Sequence, residues 1–123
     1  MNFADKCIGS IYGDNGGTDN ITRLDAAALK GKVSRSQVIK AALERESGMK
    51  CEGGKVEVIP PDYGRDVGHI LGEDVRAVMV VLTGDYCAAL KKIAESYHYT
   101  EDGKRYNDEN AALNGLHFAA IFD

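Results

Sequence analysis

The amino-acid sequence predicts a small, mainly α-helical single domain of five or six helices, with a two-helix hairpin and one or two short β elements. Its 123 residues are 44% apolar, which is enough chain for one hydrophobic core. In most segments the apolar side chains recur every three or four residues, as they do on one face of a helix. We therefore expect one domain over 1–123: an N-terminal segment with a glycine-rich loop over 1–20, a two-helix unit over 22–46, and an acidic, mainly helical remainder over 55–123.

The N-terminal third begins with a short amphipathic segment, which breaks at the glycine-rich stretch 13–17. Apolar side chains at helical spacing then predict a helix over 22–30. Gly31 follows it and suits the left-handed position that closes many helices.

A second helix is the best-defined element of the sequence. Ser34 and Gln37 match a capping box, in which the hydroxyl and the amide satisfy the backbone groups at a helix start. The apolar positions that follow carry this helix to about Glu46. A strand is predicted over 55–59 by its alternation of apolar and polar residues.

The second half of the chain is predicted to be mostly helical. A short helix is expected over 63–71. Residues 75–82 fit either a helix or a buried strand, and the acidic start together with the following helix favours a helix. Asp85 is expected to cap a further helix over 86–97.

The C-terminal part contains a turn and a last helix. Asp102 and Gly103 are typical of a tight hairpin turn within 99–106. Asn107 or Asp108 is then expected to cap a helix from Glu109 to about Phe122.

Charge is unevenly distributed along the chain, whose formal net charge is −4. Residues 21–50 contain seven basic and three acidic side chains, whereas 51–123 contain seven basic and thirteen acidic ones. A net acidic protein is a poor general binder of polyanions, but a basic segment can contact a phosphate backbone on one face. A solvated helix surface is the other explanation of this segment.

Composition also bears on location. The longest apolar run, 77–82, is far shorter than the roughly 20 residues that a membrane span needs. The first twenty residues lack the features of a signal peptide. Cys7, Cys51 and Cys87 are odd in number and widely spaced, which suits a reducing compartment. We expect a cytoplasmic protein without membrane association or a disulfide framework.

The segment from Leu24 to Leu43 resembles the helix-turn-helix of bacterial and phage DNA-binding proteins. Ala28 stands where the two helices cross, Val33 follows the turn and Val38 anchors the second helix. The turn departs from the family pattern, because Lys32 holds the usual glycine position.

This resemblance implies a small DNA-binding transcriptional regulator of a phage or mobile element, which needs no cofactor and binds double-stranded DNA as a homodimer. Its second helix would enter the major groove, where Arg can read guanine and Gln adenine. The residues expected to contact DNA are Arg23, Lys30, Lys32, Ser34, Arg35, Ser36, Gln37 and Lys40. The alternative is an ordinary helical hairpin, in which Gln37 only completes the capping box.

Residues 74–97 are also similar to the fourth region of sigma factors and to some small phage antitermination proteins. The similarity rests on Arg76, Val78 and Leu82 ahead of Ile93 and Ala94. It implies two helices in this region, which a packed helical core also explains.

A second functional hypothesis belongs to a different class. The acidic residues of 51–123 are compatible with a non-enzymatic inhibitor or adaptor that binds a host protein, such as a nucleic-acid-binding complex or RNA polymerase, by charge complementarity. This hypothesis predicts no affinity for DNA.

Residue types that support catalysis or metal binding are present but dispersed. No two of the three histidines and three cysteines lie within four residues of each other, so no metal site or enzyme is predicted; the histidines are His69, His98 and His117. Cys87 is expected to be a buried thiol on an apolar helix face. Tyr97, Tyr99 and Tyr106 either stack on single-stranded bases together with Lys104 and Arg105, or pair across the hairpin.

Overall fold

The computed structural model describes residues 6–13, 20–59 and 76–118. Over these residues the protein has a mixed α and β fold, with four α-helices and five strands in two antiparallel sheets, so the prediction of a mainly α domain with five or six helices is wrong. The helices are α1 (Asn20–Gly31), α2 (Arg35–Ser47), α3 (Asp85–Ala94) and α4 (Glu109–Asn114), with a 3-10 turn at Glu95–Tyr97. The strands are β1 (Lys6–Gly13), β2 (Val56–Ile59), β3 (Arg76–Thr83), β4 (His98–Glu101) and β5 (Lys104–Asn107).

Strand β3 is the element that sequence reasoning assigned to the wrong class. The helix predicted over 75–82 is the central strand of a three-stranded sheet, antiparallel to β1 on one side and to β2 on the other. The sigma-factor similarity implies a helix at the same place. A continuous apolar run has no period that separates helix from strand. Pairing with β1 and β2 fixes the conformation, and β1 lies about 70 residues earlier in the chain.

Helices α1 and α2 confirm the two-helix unit, and the capping box is present. The Ser34 hydroxyl accepts the Gln37 N–H at 3.2 Å, and the Gln37 side-chain oxygen accepts the Ser34 N–H at 3.0 Å. Helix α2 closes at Gly48, which has a left-handed φ of 71°.

The turn between α1 and α2 differs from prediction by one residue. Lys32, rather than Gly31, takes the left-handed conformation, with a φ of 53°. The Lys32 N–H donates to the Leu29 carbonyl at 3.2 Å, and the Val33 N–H donates to the Ala28 carbonyl at 3.0 Å. This is the bonding pattern of a Schellman motif with Lys32 at C′.

The other local predictions have mixed outcomes. The strand predicted over 55–59 is confirmed as β2, and the hairpin is confirmed as β4 and β5 around Asp102 and Gly103, whose φ values of 53° and 76° fit a type I′ turn. The helix predicted over 86–97 is α3, which begins after Gly84 and ends in the 3-10 turn.

The last predicted helix is shorter than expected. Asp108 is its N-cap, since the Asp108 carboxylate accepts the Ala111 N–H at 2.9 Å, and α4 ends at Asn114. The helix predicted over 63–71 and the end of the last one, beyond 118, lie outside the described residues.

The described hydrophobic core lies between one face of the three-stranded sheet and the helices. We call this the inner sheet face; its buried side chains are Cys7, Ile11, Val56, Val78, Val80 and Leu82. The largest buried side chains that face it from the rest of the fold are Ile21, Leu24, Ile39, Leu43, Leu90, Leu113 and Phe118.

A disulfide between Cys7 and Cys87 ties β1 to α3 inside this core. Cys87 is buried as expected, but it is not a free thiol. The two cysteines are 80 residues apart, and the pairing of β1 with β3 brings them together, which residue spacing does not reveal. Cys51 is a buried free cysteine.

Candidate binding surfaces

The polar side chains at the start of α2 are engaged within the fold. The Arg35 guanidinium pairs with the Asp25 carboxylate of α1, with Nε–Oδ1 at 2.5 Å and Nη2–Oδ2 at 3.3 Å. The Ser36 hydroxyl donates to the Val56 carbonyl of β2 at 2.7 Å. Because Gln37 completes the capping box, the three side chains hold α2 to α1, to β2 and to its own N-cap.

Lys40 lies on the side of α2 that packs against α3. Its Nζ is 5.6 Å from the centroid of the Tyr86 ring, an arrangement that allows a cation–π interaction. Burial, followed by the nearby Glu44, Cys51 and Asp85, raises the pKa of Tyr86 above its usual value. Lys40 is therefore a packing residue in this structure, and Tyr86 is protonated at neutral pH.

Two of the remaining predicted DNA-contacting residues, Lys30 and Lys32, lie where α1 turns into α2. Both are exposed, as is Leu29, whose side chain is 82% exposed. We call Leu29, Lys30 and Lys32 the α1–α2 corner. Ser34 is exposed beside it. Arg23 is also exposed, but it lies near the other end of α1, about 10 Å along the helix axis from Lys30. The structure thus brings Lys30 and Lys32 together but does not group them with Arg23 or Lys40.

A second candidate surface is the side of the three-stranded sheet opposite the core. We call it the outer sheet face; its apolar side chains are Ile8, Tyr12, Ile59, Ala77, Met79 and Val81, which alternate with the inward-facing positions. Of these, Ala77 is buried. Ile8 is 65% exposed, Tyr12 45% and Met79 38%. Antiparallel sheets with one solvated face usually place polar residues on it. Exposed apolar side chains grouped on such a face make it a candidate interaction surface.

The outer sheet face ends in a pair of lysines. Lys6 of β1 lies opposite Thr83 of β3, and Lys55 joins Thr83 from the other side through two 3.0 Å hydrogen bonds. A surface cavity of about 470 Å³ lies at this end; it is lined by Lys6, Gly54, Lys55, Glu57, Val81 and Thr83. The cavity lining holds two lysines and Glu57, and the Asp85 carboxylate lies beside it, bonded to the Gly53 N–H.

The backbone at this end is fixed by two glycines that cross closely. Gly54 and Gly84 have φ values of 107° and 63°, and a Cβ on Gly84 would lie only 2.7 Å from the Gly54 Cα. Asp85 strengthens the crossing, since its carboxylate accepts the N–H groups of Glu52 at 2.9 Å and Gly53 at 3.0 Å. The hydrogen bond from Gly53 is the larger cause, and that from Glu52 the smaller, of a lowered pKa of Asp85.

The outer edge of β1 is closed by two asparagines of α4. Asn110 accepts the Ser10 N–H at 2.8 Å, while Asn114 donates to the Ser10 carbonyl at 2.8 Å and accepts the Tyr12 N–H at 3.0 Å. A further strand therefore cannot pair with the N–H and C=O groups of Ser10 or with the N–H of Tyr12 unless these asparagines move away.

The hairpin of β4 and β5 forms a third surface. All eight strand residues are exposed. The rings of Tyr99 and Tyr106 stack across the strands with centroids 5.4 Å apart, so the prediction of cross-strand pairing is confirmed. The ribbon carries both acidic and basic side chains, which does not favour a polyanionic partner.

Sequence reasoning missed the outer sheet face because it placed 75–82 in a helix. The signal that reveals it is the absence of a period in that run, which is typical of strands with two apolar faces. Among the described residues no three or more His, Cys, Asp and Glu side chains are arranged to hold a metal ion, and no helix is long and apolar enough to cross a membrane. His69 lies outside them.

Comparison with known proteins identifies no relative of this chain. No family model matches the sequence, and neither the curated proteins nor the solved structures contain a match. Function is therefore inferred from the three surfaces.

Proposed function

We propose that the protein is a small, non-enzymatic inhibitor or adaptor that docks on a partner protein through its outer sheet face. The observation that carries this proposal is the exposure of Ile8, Tyr12 and Met79 on one side of a three-stranded sheet. Covering such side chains contributes about 25 cal/mol for each Å² removed from water. Large apolar and aromatic anchors of this kind dominate the energetics of protein interfaces.

The contacts of the polar side chains of α2 also favour a protein partner over DNA. Arg35, Ser36 and Gln37 are bonded within the fold, and Lys40 lies over Tyr86. Reading bases would require Arg35 to leave Asp25 and Gln37 to leave the capping box. The outer sheet face is exposed without any such rearrangement.

Site-specific photo-crosslinking in the producing cell tests the proposal. A photoreactive phenylalanine analogue replaces Ile8 in one variant and Ala88, which is exposed on α3 and away from the outer sheet face, in a matched control. We expect a discrete adduct with another protein at position 8 and none at position 88. Equal labelling at both positions, or labelling at neither, contradicts the proposal.

Double-stranded DNA is the second candidate partner, and the α1–α2 corner favours it. Lys32 takes a left-handed conformation at the position where the helix-turn-helix pattern has glycine, which supports this candidate, although the same conformation closes many ordinary helices. Arg23, Lys30 and Lys32 then present positive charge that suits phosphates. Under this hypothesis the protein is a dimeric transcriptional regulator that binds the phosphate backbone of DNA.

A titration of mixed-sequence duplex DNA at low and physiological salt separates the two candidates. The Lys30→Glu, Lys32→Glu double variant is compared with Ile8→Lys, which changes only the outer sheet face. If DNA is the partner, binding is salt-sensitive, lost in the double variant and kept in Ile8→Lys. If a protein is the partner, none of the three proteins binds DNA at physiological salt.

We propose that the protein is cytoplasmic, a location that suits DNA or a nucleic-acid-binding complex as its partner. The Cys7–Cys87 disulfide makes it testable, because reducing compartments disfavour such bonds. Rapid alkylation of cells followed by mass measurement of the intact protein shows whether three thiols or one are modified. Three modified thiols agree with a cytoplasmic protein, and one indicates an oxidising environment.

A further inference from the structure

We infer that the outer sheet face receives a single amphipathic helix of the partner, with its apolar stripe on Ile8 and Met79 and its acidic end at Lys6 and Lys55. This inference rests on the proposed function and names the kind of partner that the surface fits.

The dimensions of the face match one helix. Three strands spaced about 4.8 Å apart are roughly 10 Å across, close to the 10–12 Å diameter of a helix with its side chains. The eight residues of β1 extend over about 26 Å, a length that a helix of about 17 residues covers.

The edges of the sheet favour a helix over an added strand. Asn110 and Asn114 occupy the backbone of β1 at Ser10 and Tyr12. The Val56 carbonyl of β2 is taken by Ser36. A partner therefore meets closed backbone at these points and apolar side chains on the face.

Charge gives the bound helix a direction. Lys6 and Lys55 flank Thr83 at one end of the face, and Glu57 is the single acidic side chain lining the cavity there. At the other end the described outward-facing residues, Tyr12, Ile59, Ala77 and Met79, are uncharged. Carboxylates at one end of the bound helix meet the lysines, whereas lysines there would be repelled.

Designed peptides test the inference directly. Because the protein contains no tryptophan, one tryptophan in an 18-residue helical peptide with a leucine stripe reports binding by fluorescence. One peptide carries three glutamates at one end, a second carries three lysines there, and a third has the acidic composition with the stripe scrambled. We expect the acidic peptide to bind about tenfold more tightly than the lysine peptide, and the scrambled one not to bind.

Protein variants locate the binding. Ile8→Lys is expected to abolish binding of the acidic peptide, and Met79→Gln to weaken it severalfold. Lys6→Glu with Lys55→Glu is expected to reverse the preference between the two striped peptides, while Lys91→Glu on α3 leaves it unchanged. Urea unfolding of each variant verifies that it is folded. If Ile8→Lys does not fold, Met79→Gln takes its place in the test.

Three results overturn the inference: equal affinity for the acidic and lysine peptides, no binding of either, or a dimer in sedimentation that Ile8→Lys dissociates. The last result assigns the face to a second copy of the chain. If no peptide binds while the position 8 crosslink to another protein forms, the helix inference fails and the proposed function stands. If the crosslink is also absent, both fail.

Discussion

At the scale of single residues, Lys32 stores backbone strain between α1 and α2. Its φ of 53° is in the left-handed region, which costs a residue with a Cβ about 1–2 kcal/mol. The Schellman hydrogen bonds of Lys32 and Val33 hold it there, and Val33 packs against the core. The exposed lysine side chain does not require this conformation.

Replacing Lys32 with glycine is therefore expected to stabilise the protein. The relief of strain outweighs the extra freedom of glycine in the unfolded chain, and we expect a gain of about 0.5–1 kcal/mol in the free energy of unfolding, measured in urea. Lys32→Ala removes the charge but keeps the Cβ, so it should give no gain. An equal gain in both variants would assign the effect to charge.

Asp85 links stability to pH through its hydrogen bonds to Gly53 and Glu52, which lower its pKa. A carboxylate whose folded pKa lies below its unfolded pKa stabilises the fold fully above the unfolded value. That stabilisation is lost as the pH falls through the folded value. The window therefore begins near pH 4, the usual pKa of an aspartate, and extends downward.

We expect Asp85→Asn to flatten the acid side of the pH–stability profile. The free energy of unfolding is measured at intervals between about pH 6 and pH 2 for both proteins. The native protein should lose more stability over this interval than the variant does. Parallel profiles would show that other carboxylates cause the acid sensitivity.

At the scale of elements, a segment's secondary structure was predictable when the residues that determine it lie close together in sequence. The capping box of α2 and the type I′ turn of the hairpin are set by residues within four positions of each other, and both were predictable. Strand β3 was not, because its partners β1 and β2 are distant in sequence and an unbroken apolar run fits either class. Sequence identified the cations of the α1–α2 corner, but the contacts that withdraw Arg35 and Ser36 depend on Asp25 and Val56.

The stacked tyrosines of the hairpin are expected to stabilise it as a pair. A double-mutant cycle of Tyr99→Ala and Tyr106→Ala should give a coupling energy of about 0.5–1.5 kcal/mol, typical of aromatic pairs. The cycle is read from urea unfolding, with Thr100→Ala on the opposite face of the ribbon as the control. Additive effects of the two tyrosine variants would show that the rings do not interact in solution.

Asn114 is expected to be the most sensitive polar residue of α4. Its side chain bonds the Ser10 carbonyl and the Tyr12 N–H on the edge of β1. Asn114→Ala leaves these groups without that partner, and because one of the two bonds is only partly buried and the other is exposed we expect a loss of about 1 kcal/mol in urea unfolding. Asn107→Ala, in exposed β5, should change stability little; similar losses in both would contradict a specific role at the sheet edge.

At the scale of the whole molecule, the Cys7–Cys87 disulfide joins the first described strand to a helix 80 residues later. In the chain-entropy account, closing a loop of this length removes enough freedom from the unfolded chain to stabilise the fold by about 4.5 kcal/mol. Reduction should lower the midpoint of urea unfolding accordingly. The comparison uses Cys7→Ser with Cys87→Ser, whose unfolding should not respond to reductant, and Cys51→Ser, which should respond as the native protein does.

The position of β3 between its two neighbours also has a consequence for synthesis. Strands β1 and β2 do not pair with each other, and each obtains its hydrogen-bonded partner only when residues 76–83 are available. On the ribosome, α1 and α2 can therefore form early, while the N-terminal strand waits for two thirds of the chain to be translated. Folding of the sheet therefore belongs to the last third of synthesis, and its rate should be limited by this search between distant segments.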